Sequence, residues 1–306
     1  MTDAALTVTV PDATLRDALG PLPEGVRVLE WDFRGKPPAE RIDLAVPPYM
    51  GGNAVLGALD GVPVGLVQSQ SIGYDGVAAL LPAGHVFANA TSVHETSTAE
   101  LALALVLASQ RGIPRFVHDA AAGRWAPLPL RSLADRRVLI LGYGGVGRAV
   151  EDRLVPFEVE VTRVASRARE TDRGRVHGID ELPALLPEAE IVIVGLPLSD
   201  ATAGLVDDAF LAALPDDALV VNVGRGPIID TDAILAHAGR LRFALDVVDP
   251  EPLPDGHPLF AEPNVLITPH VGGASSAMLP RMAALVRRQV AHLLAGEAPE
   301  NVVLRT

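Results

Sequence analysis

The chain has 306 residues, a length that suits two domains of ordinary size. Hydrophobic residues make up 49% of it and charged residues 21%, which supplies packed cores and excludes a disordered chain. The net charge of −13 makes nucleic acid and anionic membranes poor partners, and the absence of cysteine excludes disulfides, thiolate nucleophiles and Cys-ligated metals. The first residues do not read as a signal peptide, so we expect a cytoplasmic protein, and we assign no metal site.

Short apolar runs alternate with turn-rich connections in the first third of the chain. They predict a helix at Asp12–Leu19 and strands at Leu6–Val10, Val26–Glu30, Leu44–Val46 and Val64–Gln68. Because strands that alternate with helices build parallel sheets, this part predicts an α/β domain.

A long apolar helix is predicted at Thr98–Gln110, where Gly112 and Pro114 mark its end. The following stretch, Ala120–Leu130, is rich in Gly, Trp and Pro. We interpret it as a crossing between two domains.

The alternation of strands and helices resumes after that stretch. Strands are predicted at Arg137–Leu141, Val159–Ala165, Ile191–Leu196, Leu219–Val223, Phe243–Val247 and Val265–Thr268. An amphipathic helix at Ser276–Leu294 follows, and we expect it to pack on the first domain.

A glycine-rich turn, Gly142-Tyr143-Gly144-Gly145-Val146-Gly147, fits the pattern G-x-G-x-x-G. The pattern alone is weak, but here it follows an apolar strand and precedes a helical stretch, as a dinucleotide fold requires. Gly142 allows the tight turn, Gly144 lets the backbone approach a pyrophosphate, and Gly147 lets the helix lie close to the strand. The turn therefore predicts a dinucleotide site.

The residues after the second strand of this domain indicate which dinucleotide binds. NAD-binding sites place an acid there for the ribose 2′-hydroxyl. This chain has Ser166, Arg167 and Arg169 instead, which suit a 2′-phosphate through charge-assisted hydrogen bonds. The alternative is that these arginines are merely solvated. We predict NADP(H), with NAD(H) as the other cofactor to be tested.

Three further patches place a charged or polar side chain just after an apolar strand. Arg225 lies between two glycines, Glu251 between two prolines, and His270 follows Thr268 and Pro269. A guanidinium can bind a carboxylate through two hydrogen bonds, and an imidazole can donate a proton near neutral pH. Each residue alone is more often structural, but the three supply a carboxylate anchor, an acid and a group that orients it.

The order and spacing of five motifs resemble those of the D-isomer-specific 2-hydroxyacid dehydrogenases, which include glyoxylate and hydroxypyruvate reductases. The similarity runs over nearly the whole chain and is strongest between Thr98 and Gly273. The motifs are Gly142–Gly147, Leu196-Pro197-Leu198 with Thr202, Val221–Gly226, Asp246–Pro252 and Thr268–Gly273.

The resemblance implies a role for each matching residue. Arg225 matches the substrate-binding arginine, and Glu251 and His270 match the catalytic acid–base pair. The backbone amides of Ile72 and Gly73 look like those that receive the substrate carboxylate. Cofactor contacts are implied for Gly142, Gly144, Gly145, Val146, Gly147, Ser166, Arg167, Arg169, Leu196, Pro197, Thr202, Val223, Asp246, His270, Gly272 and Gly273, with Asp246 near the nicotinamide carboxamide.

The resemblance also implies an α/β fold of two Rossmann- or flavodoxin-like domains, each a doubly wound parallel sheet, with a cleft between them. Residues 1–97 and 275–306 would form a discontinuous substrate-binding domain, and residues 98–274 the dinucleotide-binding domain. Members of the family are usually homodimers, with the helix near Ala99–Leu107 at the interface, so we expect a homodimer. The family pattern assigns no role to His94 and Glu95.

The sequence thus predicts an NADP(H)-preferring reductase that converts a small 2-keto acid to the D-2-hydroxy acid. A dinucleotide-sensing protein similar to the corepressors of this fold is an alternative, and so is a phosphite-type dehydrogenase. Pairing of Glu251 with His270 argues against formate dehydrogenase, which resembles this family but has glutamine at the acidic position. The loop with Tyr49 and Met50 either lines the substrate pocket or is structural.

Overall fold

The computed structural model describes residues 6–306. These residues group into two units. The first runs to His94 and resumes at Ala274–Thr306, and the second is Glu95–Gly273. Each unit contains its own sheet and its own hydrophobic cores.

The strands and helices alternate along most of the chain. In order, the strands are β1 Leu6–Val10, β2 Val26–Glu30, β3 Ile42–Ala45, β4 Val64–Gln68, β5 Val86–Ala88, β6 Arg137–Leu141, β7 Glu160–Ala165, β8 Arg169–Thr171, β9 Gly174–Gly178, β10 Ile191–Val194, β11 Leu219–Asn222, β12 Arg242–Leu245, β13 Val265–Ile267 and β14 Val302–Arg305. The helices are α1 Ala13–Leu19, α2 Val77–Leu80, α3 Glu95–Gln110, α4 Ile113–Ala121, α5 Gly145–Leu154, α6 Leu182–Leu185, α7 Asp208–Ala212, α8 Thr231–His237 and α9 Met278–Ala295.

The sheet of the first unit has the order β14-β5-β4-β3-β1-β2, and only β14 runs antiparallel to its neighbour. Its parallel part has the flavodoxin-like order 2-1-3-4-5. Every residue of β1 is buried, as expected for a strand with helices over both faces. Helix α9 belongs to this unit, where Leu285 and Val286 pack in one core with Leu15 of α1.

The sheet of the second unit has the order β13-β12-β11-β10-β6-β7-β9-β8, and only β8 is antiparallel. Its central strands follow the doubly wound order of a dinucleotide-binding fold. From β6 the chain adds strands toward one edge of the sheet, and from β10 it adds them toward the other edge, so the order switches between β6 and β10. In such sheets, ligands bind outside the carboxyl ends of the strands at that point. The predicted two-sheet α/β fold is confirmed.

Several elements differ from the prediction because their sequences lack a strong period. The short strands β5 and β14 and the polar hairpin of β8 and β9 carry no clear alternation of apolar and polar residues. Helix α3 ends at Gln110 as predicted. A further helix, α4, begins at once, because Gly112 adopts φ 58° and a proline in the first turn of a helix is tolerated.

The interpretation of Ala120–Leu130 as a crossing between domains is wrong. The whole stretch lies inside the second unit, beyond the boundary between His94 and Glu95. Its Gly, Trp and Pro content reflects an exposed connection from α4 toward β6. Within residues 6–306, no helix combines the length and the apolar character that a membrane span needs.

Candidate active site

Three neighbouring parallel strands of the second unit deliver the three predicted catalytic side chains. Arg225 follows β11, Glu251 follows β12 and His270 follows β13. Because parallel strands end at the same edge of a sheet, all three residues come from loops at one edge.

His270 and Glu251 are in direct contact. The imidazole Nδ1 lies 2.5 Å from Glu251 Oε1, and each side chain is somewhat more than one third exposed. The Nε2 atom of His270 makes no hydrogen bond within residues 6–306. A carboxylate on Nδ1 fixes the tautomer and the ring orientation, so the pair presents Nε2 as the atom that can exchange a proton.

The turn that carries His270 is built around the buried side chain of Asp246. Its Oδ1 accepts from the Thr268 hydroxyl at 2.7 Å and from the Val271 N–H at 2.9 Å, and its Oδ2 accepts from the Gly272 N–H at 2.8 Å. His270 adopts φ 52°, a left-handed conformation that is uncommon for a residue with a side chain. The carboxylate therefore stabilises a turn that the backbone alone disfavours.

The turn that carries Arg225 is fixed by close packing of its glycines. A Cβ on Gly224 would lie 2.7 Å from the carbonyl oxygen of Leu196, and a Cβ on Gly226 would overlap the carbonyl of Val248. Neither glycine has positive φ. These glycines are thus required by the close approach of neighbouring loops.

Asn222 fixes the same turn from the end of β11. Its buried side chain donates to the Arg225 carbonyl at 3.0 Å and accepts from the Gly224 N–H at 3.0 Å. The sequence interpretation gave Asn222 no role. An asparagine two residues before a glycine is the local signal that identifies it.

The glycine-rich turn between β6 and α5 fits a dinucleotide. Gly142 has φ 109°, and a Cβ there would lie 2.7 Å from the carbonyl of Gly195; a Cβ on Gly147 would overlap the carbonyl of Gly142. A Cβ on Gly144, in contrast, would meet no heavy atom within 4 Å. Gly142 and Gly147 are therefore required by the protein itself, whereas Gly144 leaves open space at its backbone for a ligand.

The residues predicted to bind a 2′-phosphate follow β7. Ser166 and Arg167 are exposed. Arg169 begins β8 and donates to the carbonyl of Tyr143, inside the glycine-rich turn, at 2.9 Å. Hence Arg169 lies at the predicted dinucleotide site.

A buried polar cluster beneath this turn was not predicted. The Tyr143 hydroxyl donates to Glu151, and the Arg163 Nε donates to Glu151 Oε1 at 3.0 Å. Burial by itself raises the pKa of Glu151, but hydrogen bonds from Arg163 and Tyr143 outweigh it and hold that pKa below its usual value. Burial, and then the Glu151 carboxylate, raise the pKa of Tyr143. Each of these side chains reads singly as an ordinary helix or strand residue, so only their contact reveals the cluster.

The remaining predicted cofactor residues lie in loops at the same edge. The Thr202 hydroxyl donates to the Pro197 carbonyl at 2.7 Å and closes the turn after β10. Leu196 is buried beside this turn, and Val223 is buried directly after β11. Gly273 is the last residue of the second unit.

Ile72 and Gly73, the predicted carboxylate-binding residues, lie in the first unit after β4. The side chain of Asn89 donates to the Ile72 carbonyl at 2.8 Å and so holds this loop. Within residues 6–306, the backbone N–H groups of Ile72 and Gly73 donate to no acceptor. The loop can therefore offer two amide donors to an anion.

His94, which the family pattern left without a role, supports the same loop. It is buried, its Nε2 lies 2.6 Å from the carbonyl of Gln70, and its ring stacks on Tyr49 with centroids 5.7 Å apart. The side chain of Gln70 in turn donates to the carbonyl of Pro47 at 2.9 Å. The Pro47–Tyr49 loop is thus packed against the strand end that leads to Ile72.

Comparisons with known proteins identify the family to which the chain belongs. Residues 103–272, more than half of the chain, match the family model described as D-isomer specific 2-hydroxyacid dehydrogenase, NAD binding domain. A protein of Aeropyrum pernix named glyoxylate reductase is 31% identical over 255 residues, 78% of this chain and 76% of that protein. The human glyoxylate reductase/hydroxypyruvate reductase is 28% identical over 290 residues, 88% of each chain.

A solved structure is similar over the whole length. A D-isomer specific 2-hydroxyacid dehydrogenase from Xanthobacter autotrophicus Py2, in complex with NADPH and MES, superposes with a TM-score of 0.82 at 30% identity and covers 98% of both chains. The chain belongs to the D-isomer specific 2-hydroxyacid dehydrogenase family.

The family assignment gives the motifs at this edge of the second unit a common chemical context. A member of this family needs a nicotinamide dinucleotide site and a proton donor, and the glycine-rich turn and the Glu251–His270 pair provide candidates for both. Among the residues that the structure describes, no group of three or more His, Asp or Glu side chains is arranged to hold a metal ion.

Proposed function

We propose that this chain is an NADP(H)-preferring reductase that converts a small 2-keto acid, such as glyoxylate or hydroxypyruvate, to the D-2-hydroxy acid. The observation that carries the proposal is the 2.5 Å contact between His270 Nδ1 and Glu251 in the domain that holds the dinucleotide turn. The names of the Aeropyrum and human relatives, both glyoxylate reductases, support the substrate class.

His270 acts as the acid in this proposal. A bound nicotinamide dinucleotide supplies or accepts the hydride, which is chemistry that amino-acid side chains cannot provide. His270 donates a proton from Nε2 to the oxygen at C2 of the substrate, while Glu251 keeps the proton on Nδ1 and stabilises the imidazolium. In the opposite direction the same pair removes the proton from the hydroxyl group.

Substrate binding is assigned to positive and amide donors. Arg225 binds the carboxylate through its guanidinium, since the fork of N–H groups matches two carboxylate oxygens. In the first unit, the N–H groups of Ile72 and Gly73 are available to bind an anionic group, because they donate to no acceptor within residues 6–306.

The cofactor is assigned to the edge around β6 and β7. The turn Gly142–Gly147 would hold the pyrophosphate, and Ser166, Arg167 and Arg169 would hold a 2′-phosphate. No acid follows β7 until Glu170, whereas an NAD site places an acid at the end of this strand. The NADPH in the Xanthobacter relative supports this choice.

The catalytic assignment is tested with a panel of 2-keto acids, using NADPH and then NADH and following absorbance of the reduced nicotinamide. His270→Ala and Glu251→Gln should each lower kcat by at least about 100-fold, the low end of what a general acid contributes. His118→Ala, which removes an exposed histidine of α4, is the matched control and should keep wild-type turnover. Near-wild-type turnover by His270→Ala, or negligible turnover by the wild type despite tight dinucleotide binding, would contradict the proposal.

The cofactor preference has a separate test. The double variant Ser166→Asp, Arg167→Ala restores the acid of an NAD site and removes one guanidinium. It should move the ratio of kcat/KM values from NADPH toward NADH by at least about tenfold, the value of one charge-assisted hydrogen bond. An unchanged ratio would remove the phosphate role of these residues.

A further inference from the structure

One arginine near the dinucleotide turn lies outside every motif of the family resemblance. Arg148 follows Gly147 in the first turn of α5, and its guanidinium carbon lies 5.7 Å from the centre of the Tyr143 ring. Arg169 donates to the carbonyl of the same tyrosine at 2.9 Å. Arg163 also lies over the ring, with its guanidinium carbon 5.9 Å from the ring centre. Three guanidiniums therefore contact Tyr143, two at its ring and one at its backbone.

The acids of helix α5, buried Glu151 and exposed Asp152, neutralise other arginines. Glu151 is paired with Arg163, and Arg173 lies 2.6 Å from Asp152 and 3.7 Å from Glu151. Within residues 6–306, no carboxylate pairs with Arg148, Arg167 or Arg169. The carboxylates thus neutralise Arg163 and Arg173, whereas the charges of Arg148, Arg167 and Arg169 are not neutralised by a carboxylate among the described residues.

The positive charge of Arg148 lies at a position that disfavours it unless an anion is bound nearby. The first turn of a helix has a positive end of the dipole and favours acids, yet α5 has no acid in its first turn. Arg148 is exposed and carries the same sign as Arg169, which contacts the same tyrosine. An anion bound between such groups removes their repulsion and gains charge-assisted hydrogen bonds.

We propose that Arg148 binds the 2′-phosphate of the dinucleotide and is a specificity-determining residue for it, with the Tyr143 ring as the platform that holds its guanidinium. The inference rests on the proposed NADP(H) preference and adds to it a contact from the helix after the glycine-rich turn. Glu151 contributes indirectly, since it fixes the Tyr143 hydroxyl and pairs with Arg163 so that Arg163 is not a competing site.

Equilibrium binding to the full chain tests the proposal without turnover. Adenosine 2′,5′-bisphosphate and adenosine 5′-monophosphate are titrated calorimetrically into the wild type, Arg148→Ala and Arg153→Ala. Arg153 lies on the same helix, pairs with no carboxylate among the described residues and donates to the Ala149 carbonyl, so its loss changes the net charge equally. Thermal unfolding of each variant checks the fold.

Arg148→Ala should lower the affinity for the bisphosphate by about tenfold and change the affinity for the monophosphate by no more than about twofold. Arg153→Ala should change neither affinity by more than about twofold. Equal weakening of both ligands by Arg148→Ala, or no weakening of either, would overturn the role of Arg148. If the wild type itself binds the two ligands equally, the 2′-phosphate preference of the proposed function fails instead.

Discussion

The backbone N–H of His270 donates to the backbone carbonyl of Asp246 at 2.7 Å. The carboxylate of Asp246 accepts hydrogen bonds from the N–H groups of Val271 and Gly272, the two residues after His270. The turn with the proposed acid is therefore held at both main chain and side chain by one buried residue, and its geometry depends on a carboxylate with two accepting oxygens.

The first prediction concerns replacement of the Asp246 carboxylate by an amide. Asp246→Asn turns one acceptor into an NH₂ donor that faces an N–H or O–H donor, so at least one hydrogen bond of about 1–3 kcal/mol is lost. We expect kcat to fall by about 10- to 100-fold and the thermal midpoint to drop. The measurement is steady-state turnover with a 2-keto acid, together with thermal unfolding followed by circular dichroism.

Asp249→Asn is its control, because Asp249 is an exposed residue of the neighbouring loop and its side chain makes no hydrogen bond or ion pair within the described residues. Wild-type kcat in Asp246→Asn would show that the turn does not need the carboxylate.

The second prediction separates two glycines of one motif. Gly147→Ala places a methyl group on the carbonyl of Gly142 and should lower the thermal midpoint by several degrees. Gly144→Ala meets no protein atom within 4 Å and should unfold at the wild-type temperature. It should nevertheless lower the affinity for NADPH by at least about tenfold, since the methyl group fills the space through which the pyrophosphate would approach the backbone.

Calorimetric titration of NADPH into both folded variants, with thermal unfolding, provides the measurement. Normal NADPH affinity in Gly144→Ala would show that the open space at this position is not the pyrophosphate site.

The third prediction concerns a buried amide network in the first unit. The Gln289 side chain donates to Gln68 Oε1 at 2.7 Å, donates to the Glu300 carbonyl and accepts from the Glu300 N–H. Gln289→Leu leaves the buried Gln68 Oε1 and the partly buried main chain of Glu300 without these hydrogen bonds. The free energy of unfolding should therefore fall by about 2 kcal/mol or more. Chemical denaturation measures it.

Gln110→Leu is the matched substitution. Gln110 is equally buried, but its Oε1 has no partner in the part of the chain that the structure describes. Its replacement by leucine should be neutral or stabilising. Equal losses in the two variants would show that the hydrogen bonds of Gln289 add nothing beyond shape.

The fourth prediction concerns acid. The His177 side chain first, then the Gly178 N–H and Arg175, lower the pKa of Glu181 from 4.5 to about 2. A carboxyl whose folded pKa is depressed contributes stability above its unfolded pKa, and this contribution is lost as pH falls from about 4.5 toward about 2. Wild type should therefore exceed Glu181→Gln in thermal midpoint at pH 7, and the difference should shrink between pH 5 and pH 3. A difference that stays constant over this range would contradict the shift.

The residue patterns of the sequence predict most of the second sheet and its site-bearing loops. Strands β6, β10, β11 and β12 each contain a buried apolar run of three or four residues, so their sequences identify them without knowledge of their neighbours. The glycine-rich turn and the order of the motifs are likewise local properties. Local patterns could not reveal β8 and β9, whose polar residues are held by pairing with each other at the sheet edge.

The sequence alone therefore determined the α/β class and the glycine-rich turn, and it predicts the three proposed catalytic residues, because each depends on local period or on a short motif. Only the tertiary structure decided that Glu251 reaches the Nδ1 of His270, that Asp246 shapes the turn of His270, and that Arg148 and Arg169 contact the same tyrosine. Those contacts join residues from separate strands and helices, and their distances are set by how the parallel strands align at one edge, which no short stretch of sequence encodes.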